Sequence, residues 1–215
     1  MLRAISRLWA SLLLTAAILL LHSATASAQC AGANPNDWND DRAALQACID
    51  SNVNLYLEPG NPGYVVDGDK LRIRAPLRLL TSTGPGKARI IAGNSLLGPL
   101  MEFDPTMSNY EISELIIDGR KDYRTHNLWA CGSSLYAGHG TNMLAKGAYF
   151  RIHHLDIINA LCGAGIEATG NDFEIWSLYV ADNGFESNGH WADGLVSHRC
   201  DSGSIHDSWF INNTD

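Results

Sequence analysis

The chain after residue 110 repeats a short pattern of apolar and polar positions. In each copy an apolar residue is followed by two variable positions, an apolar or small residue, one variable position and another apolar residue. Such alternation predicts β-strands, because successive side chains of a strand point to opposite faces. The copies are Ile112/Leu115/Ile117, Ile152/Leu155/Ile157, Ile175/Leu178/Val180 and Ile205/Ser208/Phe210, with Tyr110, Phe150 and Phe173 two positions before the first three.

The spacing of these copies indicates stacked units. The last three copies begin at Ile152, Ile175 and Ile205, 23 and 30 residues apart, which is the size of one unit that must stack on its neighbours to bury its apolar face. Short strands opened by glycine, at 165–168 and 194–197, lie between the copies. An antiparallel sandwich is the alternative, but the constant order of the strands favours a solenoid.

Polar corners are expected to close each coil. Asp182-Asn183-Gly184 and Asn212-Asn213-Thr214 follow two of the strand copies. Asparagine and glycine favour such corners because they adopt the left-handed backbone conformation that bulky residues resist.

A short helix is predicted ahead of the repeat, within residues 39–50. Asp40 or Asp41 is expected to cap it, and its inner face consists of Ala44, Leu45, Cys48 and Ile49. Extended segments at 53–57 and 64–66 follow, with Pro59-Gly60 between them.

This arrangement, over roughly residues 37–118, resembles the start of the pectate-lyase-like superfamily of right-handed parallel β-helix proteins. The resemblance implies an all-β fold, a right-handed parallel β-helix solenoid whose N-terminal helix covers the open end of the first coil. Because the pattern stops within a repeat, we expect the solenoid to be C-terminally incomplete at Asp215. The superfamily contains lyases, hydrolases, epimerases and phage tail proteins, so it does not define an activity.

The N-terminus has the features of a secretory signal. Arg3 and Arg7 precede an apolar run at 8–21, and an Ala-x-Ala site ends at Ala28. We therefore expect residues 1–28 to be removed, leaving one domain over 29–215 that is secreted or periplasmic, without a stable membrane anchor. The mature chain would carry 13 basic and 23 acidic residues, which argues against nucleic-acid binding.

All five cysteines lie in this mature part. In an oxidising compartment they can form disulfides. Cys30 with Cys48 and Cys131 with Cys162 are plausible pairs, which leaves Cys200, although the sequence does not fix the connectivity.

Two aspartates occupy equivalent places in the last coils. Asp193 and Asp215 each follow a turn and precede a short strand. Because stacked strands lie about 4.8 Å apart, the two carboxylates are expected in one neighbourhood, where like charge separates their proton affinities. The triplet Asn213-Thr214-Asp215 is similar to a catalytic motif of the polygalacturonase-like hydrolases, which implies glycoside hydrolysis. The structural alternative is that both side chains hydrogen-bond their own turns.

The other candidate site residues lie near Asp193. His198 and Arg199 follow it along the strand, as a base and as a partner for a carboxylated sugar. His190 and Trp191 precede it on a turn, where the indole ring suits stacking on a sugar. Glu167 is predicted to point outward one coil earlier. Each of these side chains also has the simpler interpretation of a surface residue without a role.

A basic segment interrupts the acidic chain. Arg72 and Arg74 alternate with Leu71 and Ile73, so the charges share the outer face. The segment either solvates the sheet and discourages edge pairing, or forms a ledge for an anionic glycan. Its members are Lys70, Arg72, Arg74, Arg78, Lys87 and Arg89. Residues 119–147 break the repeat and are interpreted as an insertion that forms a binding loop.

The function expected from the sequence is cleavage of a polysaccharide by glycoside hydrolysis with Asp193 and Asp215, assisted by His198. One alternative is β-elimination on a polyuronide, with His198 or an arginine as base. Another is a non-catalytic glycan-binding or surface β-helix protein. The expected partner is a polysaccharide, and acidic polysaccharides are among the candidates. No cofactor is predicted, because no convincing zinc spacing occurs, although turn carboxylates suit calcium.

Overall fold

The structure is a computed structural model that describes residues 30–131, 140–186 and 190–215. The predicted signal peptide, residues 1–28, lies outside the described residues. One α-helix, α1, covers Arg42–Ser51, and two short 3-10 helices cover Lys121–Tyr123 and Thr125–Ala130. The strands are β1 (Asn54–Leu57), β2 (Tyr64–Val66), β3 (Leu71–Ile73), β4 (Leu79–Ser82), β5 (Ala88–Ala92), β6 (Met101–Phe103), β7 (Glu111–Ser113), β8 (Leu115–Asp118), β9 (Met143–Ala148), β10 (Arg151–His153), β11 (Asp156–Ile158), β12 (Gly163–Asn171), β13 (Glu174–Trp176), β14 (Tyr179–Ala181), β15 (Ala192–Asp201), β16 (Ser204–His206) and β17 (Trp209–Ile211).

These strands form three parallel sheets. The first sheet has the order β1-β4-β7-β10-β13-β16, the second β2-β5-β8-β11-β14-β17, and the third β3-β6-β9-β12-β15. Each sheet therefore takes every third strand of the chain, so consecutive strands belong to different sheets and equivalent strands stack. This is the arrangement of a parallel β-helix, as predicted.

The strand register follows the sequence repeat. Ile152 pairs with Ile112 on one side and with Ile175 on the other, and Ile175 pairs with Ile205. Because the named strand pairs of the described chain are parallel, the antiparallel sandwich is excluded.

The interior contains a row of stacked aromatic rings. Tyr110 and Phe150 stack with centroids 5.1 Å apart, and Phe150 and Phe173 with centroids 5.0 Å apart. Phe103 extends the row, 4.9 Å from Tyr110. In the next coil Gly203 takes the aromatic position, and a Cβ atom there would lie only 2.2 Å from the Phe173 ring. The sequence indicated three members of this row, and the fold adds Phe103.

Helix α1 buries Leu45 and Ile49 in the same core, as predicted. Asp41 occupies the N-cap position, but its side chain makes no capping hydrogen bond there. Its carboxylate instead accepts hydrogen bonds from the backbone N–H groups of Asn34 (2.7 Å) and Val65 (2.9 Å). Of the two predicted caps, Asp41 does not cap the helix through its side chain; this buried carboxylate ties the helix start to β2. Asp40 accepts a hydrogen bond from the N–H of Arg42 (3.0 Å).

The corners of the coils use left-handed residues, but not the expected ones everywhere. Between the second and third sheets Asp182 and Asn212 have φ of 58° and 52°, in agreement with the prediction. Between the first and second sheets the left-handed positions are Glu114, His154, Ser177 and Asp207. Asparagine and glycine are therefore not required at this corner of one or two residues, where the flanking strand pairing holds the backbone.

Both predicted disulfides are present, Cys30–Cys48 and Cys131–Cys162, and Cys200 is free within the described chain. Cys30–Cys48 joins helix α1 to the segment before it. Cys131–Cys162 joins the end of the second 3-10 helix to the residue before β12.

The interpretation of the basic segment as a ledge for an anionic glycan is not supported, because five of its six side chains have carboxylate partners. The pairs are Lys70–Glu102, Arg72–Asp69, Arg74–Asp50, Lys87–Asp156 and Arg89–Asp118. The sixth, Arg78, donates to the backbone oxygen of Ser108. Most of the acidic partners come from other coils or from α1, which the local sequence does not reveal.

The predicted insertion lies between β8 and β9. Its first part is held by Arg124, which is 1% exposed. Arg124 donates hydrogen bonds to the carbonyl oxygens of Gly119 (3.0 Å) and Leu96 (2.5 Å). Asn127 donates to the carbonyl of Asn94 (2.7 Å). These bonds fasten the insertion to the turn after β5.

Candidate functional site

The outer face of the third sheet carries the best-defined group of candidate residues, on β12 and β15. In β12, Ile166 and Ala168 belong to the core, while Glu167 lies at the intervening position and points outward. Glu167 pairs in register with Val196 of β15. His198 follows two positions later, so strand alternation brings it to the same outer face as Glu167.

A β-bulge interrupts the register at this point. Ala168 pairs with Ser197, and pairing resumes between Gly170 and Cys200, so one residue of β12 opposes His198 and Arg199 of β15. Arg199 has the left-handed φ of 52°. Bulges of this kind change the direction of side chains and occur often beside functional sites. No local sequence pattern indicated this bulge.

His198 contacts Glu167 beside this bulge. Nε2 of His198 lies 3.3 Å from Oε1 of Glu167, and the two side chains are 45% and 27% exposed. When Nε2 carries the proton, it donates toward this carboxylate, and Nδ1 keeps the lone pair that a base requires. The structure therefore brings together two of the predicted site residues that are 31 positions apart in the sequence.

These side chains border a groove of about 450 Å³. Its lining residues are Pro105, Lys146, Gly147, Glu167, Thr169, Gly170, His198 and Arg199. We call it the third-sheet groove. It contains Arg199 as predicted, and it adds Lys146, which sequence reasoning missed.

Lys146 belongs to a chain of charges on this face. Its ammonium group lies 2.6 Å from Oε1 of Glu102, whose other oxygen pairs with Lys70. Burial opposes ionisation of Glu102, but hydrogen bonds from Lys146 and Lys70 outweigh it and lower the pKa of Glu102. Two ammonium groups share one carboxylate, so this part of the face is positive on balance.

Asp193 and Asp215 form a separate pair. Burial raises the pKa of Asp193, and the negative charge of Asp215 raises it further. Asp193 pairs in register with Ala164 of β12. It does not belong to the residues that line the third-sheet groove. The structure thus brings the two aspartates near each other, as expected, but not to the groove; their catalytic role stays a prediction.

His190 and Trp191 lie at the start of β15, far from His198. Trp191 is 56% exposed, and its carbonyl accepts a hydrogen bond from the N–H of Gly163 (3.0 Å). Seven residues of extended strand separate Trp191 from His198, about 23 Å. The sequence-predicted site is therefore divided between the two ends of one strand.

A second group of titratable residues lies on the outer face of the first sheet. The rings of His153 and Trp176 stack at 4.2 Å, and those of Trp176 and His206 at 6.2 Å. His153 contacts Glu111 at 3.3 Å and His206 contacts Glu174 at 3.4 Å. Each of these three rings directly follows the apolar residue that opens its strand copy. This recurrence in the sequence indicates that the three rings stack, although the sequence analysis did not predict it.

The two histidines of this group have opposite pKa shifts. Burial lowers the pKa of His153, and contact with Glu111 only partly offsets it. The hydrogen bond that His206 donates to the Asp207 carboxylate, helped by Glu174, raises the pKa of His206.

Within the part of the chain that the structure describes, no group of three His, Cys, Asp or Glu side chains is arranged to hold a metal ion. The expectation that the protein needs no metal, with calcium left open, remains untested. Among the same residues no helix is long and apolar enough to cross a membrane.

Comparison with known proteins supports the fold. No protein-family model matches the sequence. No curated protein matches it either. Among solved structures, ORF18 of Geobacillus virus E2 is similar, with a TM-score of 0.55 and 18% sequence identity over 84% of this chain. The chain spans 37% of the length of that viral protein. At this identity the similarity shows a shared fold alone.

Proposed function

We propose that this protein is a secreted carbohydrate-active protein that binds an acidic polysaccharide in the third-sheet groove and cleaves it by β-elimination. The observation that carries the proposal is the contact between His198 and Glu167 in a groove that Arg199 also lines. A base, a residue that orients it and a cation are the groups that elimination from a uronate needs.

The proposed chemistry uses these side chains in sequence. Glu167 holds the Nε2–H of His198, so that Nδ1 removes the proton at C5 of a uronate residue. The electron pair of that C–H bond forms the C4=C5 double bond, and the bond from C4 to the glycosidic oxygen breaks. The leaving oxygen takes a proton from water. Arg199 pairs with the uronate carboxylate and stabilises the negative charge that develops there.

Hydrolysis by Asp193 and Asp215 is the second candidate. It is favoured by the raised pKa of Asp193, because an inverting or retaining hydrolase needs one protonated and one ionised carboxyl group. A protein that binds the glycan without cleaving it is the third.

Incubation of the protein with polygalacturonate, alginate and heparin-like polyuronides distinguishes these candidates. Elimination yields unsaturated products that absorb in the ultraviolet, whereas hydrolysis yields new reducing ends without absorbance. His198→Ala should abolish the absorbance, and the control His154→Ala, an exposed histidine at the corner between the first and second sheets, should not. New reducing ends that disappear in Asp193→Asn would favour hydrolysis and refute elimination. Retention on a polyuronide gel with no product from any substrate would favour binding alone.

The proposal also includes the handedness of the coils, the position of helix α1 and the superfamily of the chain. We infer that the coils wind right-handed, the sense that connections between parallel strands adopt in nearly all proteins. We infer also that α1 covers the end of the first coil and that the chain belongs to the pectate-lyase-like superfamily.

Secretion is supported by the disulfides Cys30–Cys48 and Cys131–Cys162, which persist in oxidising compartments. N-terminal sequencing of the exported protein should begin at Gln29; an intact residue 1 would contradict the proposed signal peptide.

A further inference from the structure

A second groove lies on the first sheet, at the corner where the chain enters it from the third sheet. It has a volume of about 710 Å³. Glu111, Arg151 and Glu174 stand side by side across its floor, because they are paired in register on β7, β10 and β13. We call it the first-sheet groove. Its rim includes Tyr149.

Arg151 is the group in this groove that is available to a ligand. Its carboxylate neighbours are turned elsewhere: Glu111 contacts His153 and Glu174 contacts His206. Arg151 is exposed and makes no ion pair with any residue that the structure describes. An unpaired guanidinium group between two hydrogen-bond acceptors suits a carboxylated sugar, whose hydroxyl groups can donate to the two glutamates.

Tyr149 adds an exposed ring at the rim. It is 59% exposed and has the left-handed φ of 53°. The equivalent corner positions in neighbouring coils hold Asn109, Asp172 and Ser202, which are smaller. A bulky side chain at a left-handed position is sterically strained. Its ring gives the groove a flat apolar surface of the kind on which a sugar ring packs.

Two glycines lie beside the corner between the two grooves. Gly147 and Gly170 are register partners there, with φ of 118° and 133°. A Cβ atom on Gly170 would lie 1.8 Å from the carbonyl oxygen of Gly147, so these two coils approach too closely for a side chain at Gly170. Both glycines line the third-sheet groove, and the rim residue Tyr149 follows Gly147 by two positions. No side chain at these two positions separates the grooves.

We propose that a single polyuronide chain occupies both grooves, passing over this glycine corner from Lys146 and Arg199 to Tyr149 and Arg151. The inference rests on the proposed function and specifies its ligand as an oligomer of several uronate residues. Lys146 and Arg151 are five positions apart, at most about 17 Å, so a short oligomer is long enough to reach from one to the other.

Calorimetric titration with digalacturonate and hexagalacturonate tests this extension. The hexamer should bind more tightly than the dimer. Arg151→Ala should weaken hexamer binding roughly tenfold to a hundredfold, the effect of losing a charged hydrogen bond, and should leave dimer binding unchanged. Tyr149→Ala should weaken hexamer binding alone by a smaller factor. Arg72→Ala, which removes an exposed arginine from the first coil of the third sheet, is the matched control and should change neither affinity.

The possible failures are distinguishable. If the wild type binds both oligomers equally, or if neither variant weakens hexamer binding, the proposal that one chain occupies both grooves is refuted. Binding in the third-sheet groove alone would then still stand. If the wild type binds neither oligomer, the proposed function is refuted together with its extension. Circular dichroism of each variant verifies that these exposed substitutions leave the fold intact.

Discussion

The aromatic row in the core leads to a quantitative prediction about Phe150. This ring is fully buried and stacks on Tyr110 on one side and on Phe173 on the other. Replacement by alanine should reduce the free energy of unfolding by about 3–5 kcal/mol, the usual cost of removing a buried phenylalanine. Replacement by leucine keeps most of the apolar burial but removes two ring contacts of about 0.5–1.5 kcal/mol each. Phe150→Leu should therefore cost about 1–3 kcal/mol.

Urea unfolding followed by circular dichroism measures these differences. The matched control is Phe210→Leu, the same chemical change at a ring that is 46% exposed; it should cost less than about 0.5 kcal/mol, as surface changes usually do. The slope of the unfolding free energy against urea concentration should be the same in all variants, so that differences between their midpoints report differences in stability. Equal costs for Phe150→Leu and Phe210→Leu would refute the argument that stacking across coils stabilises the solenoid.

Three further predictions concern the corners, the insertion and the titrating residues. Gly170→Ala should strongly destabilise the fold, because the new Cβ meets backbone at 1.8 Å, whereas Gly98→Ala meets nothing within 4 Å and should be tolerated in thermal melts. Arg124→Ala should lower the melting temperature, since two buried carbonyl groups lose their donor; an unchanged melt would contradict this. In NMR titrations the pKa of His206 should exceed its ordinary value and fall in Glu174→Gln. Because the pKa of His206 is raised on folding, its stabilising contribution should be present below about pH 6.5 and lost as pH rises through the folded pKa.

The stacking order and much of the core could be predicted from local sequence. Alternation with period two assigns inward positions without knowledge of distant residues, and equivalent apolar residues such as Ile152 and Ile175 pair as the repeat indicated. Leu45 and Ile49 were placed correctly for the same reason, since helical periodicity is also local. The disulfide Cys30–Cys48 joins residues that are close in the sequence.

The outer surface was predicted less well, because its contacts join different coils. The charges of the basic segment could be assigned to the outer face, but the carboxylate for Lys87 comes from Asp156, 69 positions away. Unequal coil lengths prevent such pairs from being read from spacing. At the corners, strand pairing on both sides holds residues such as Glu114 and His154 in a conformation that their side chains do not favour.

In the candidate site, too, some features follow from local sequence and others depend on contacts between coils. The sequence by itself determined which polar residues lie on the last strands, and it identified His198, Arg199 and Glu167 as candidates. Only the tertiary structure decided that His198 meets Glu167, that Asp193 lies outside the groove, and that Lys146 joins it. The physical reason is that these positions depend on how separate coils stack on one another, which no pattern within a single strand encodes.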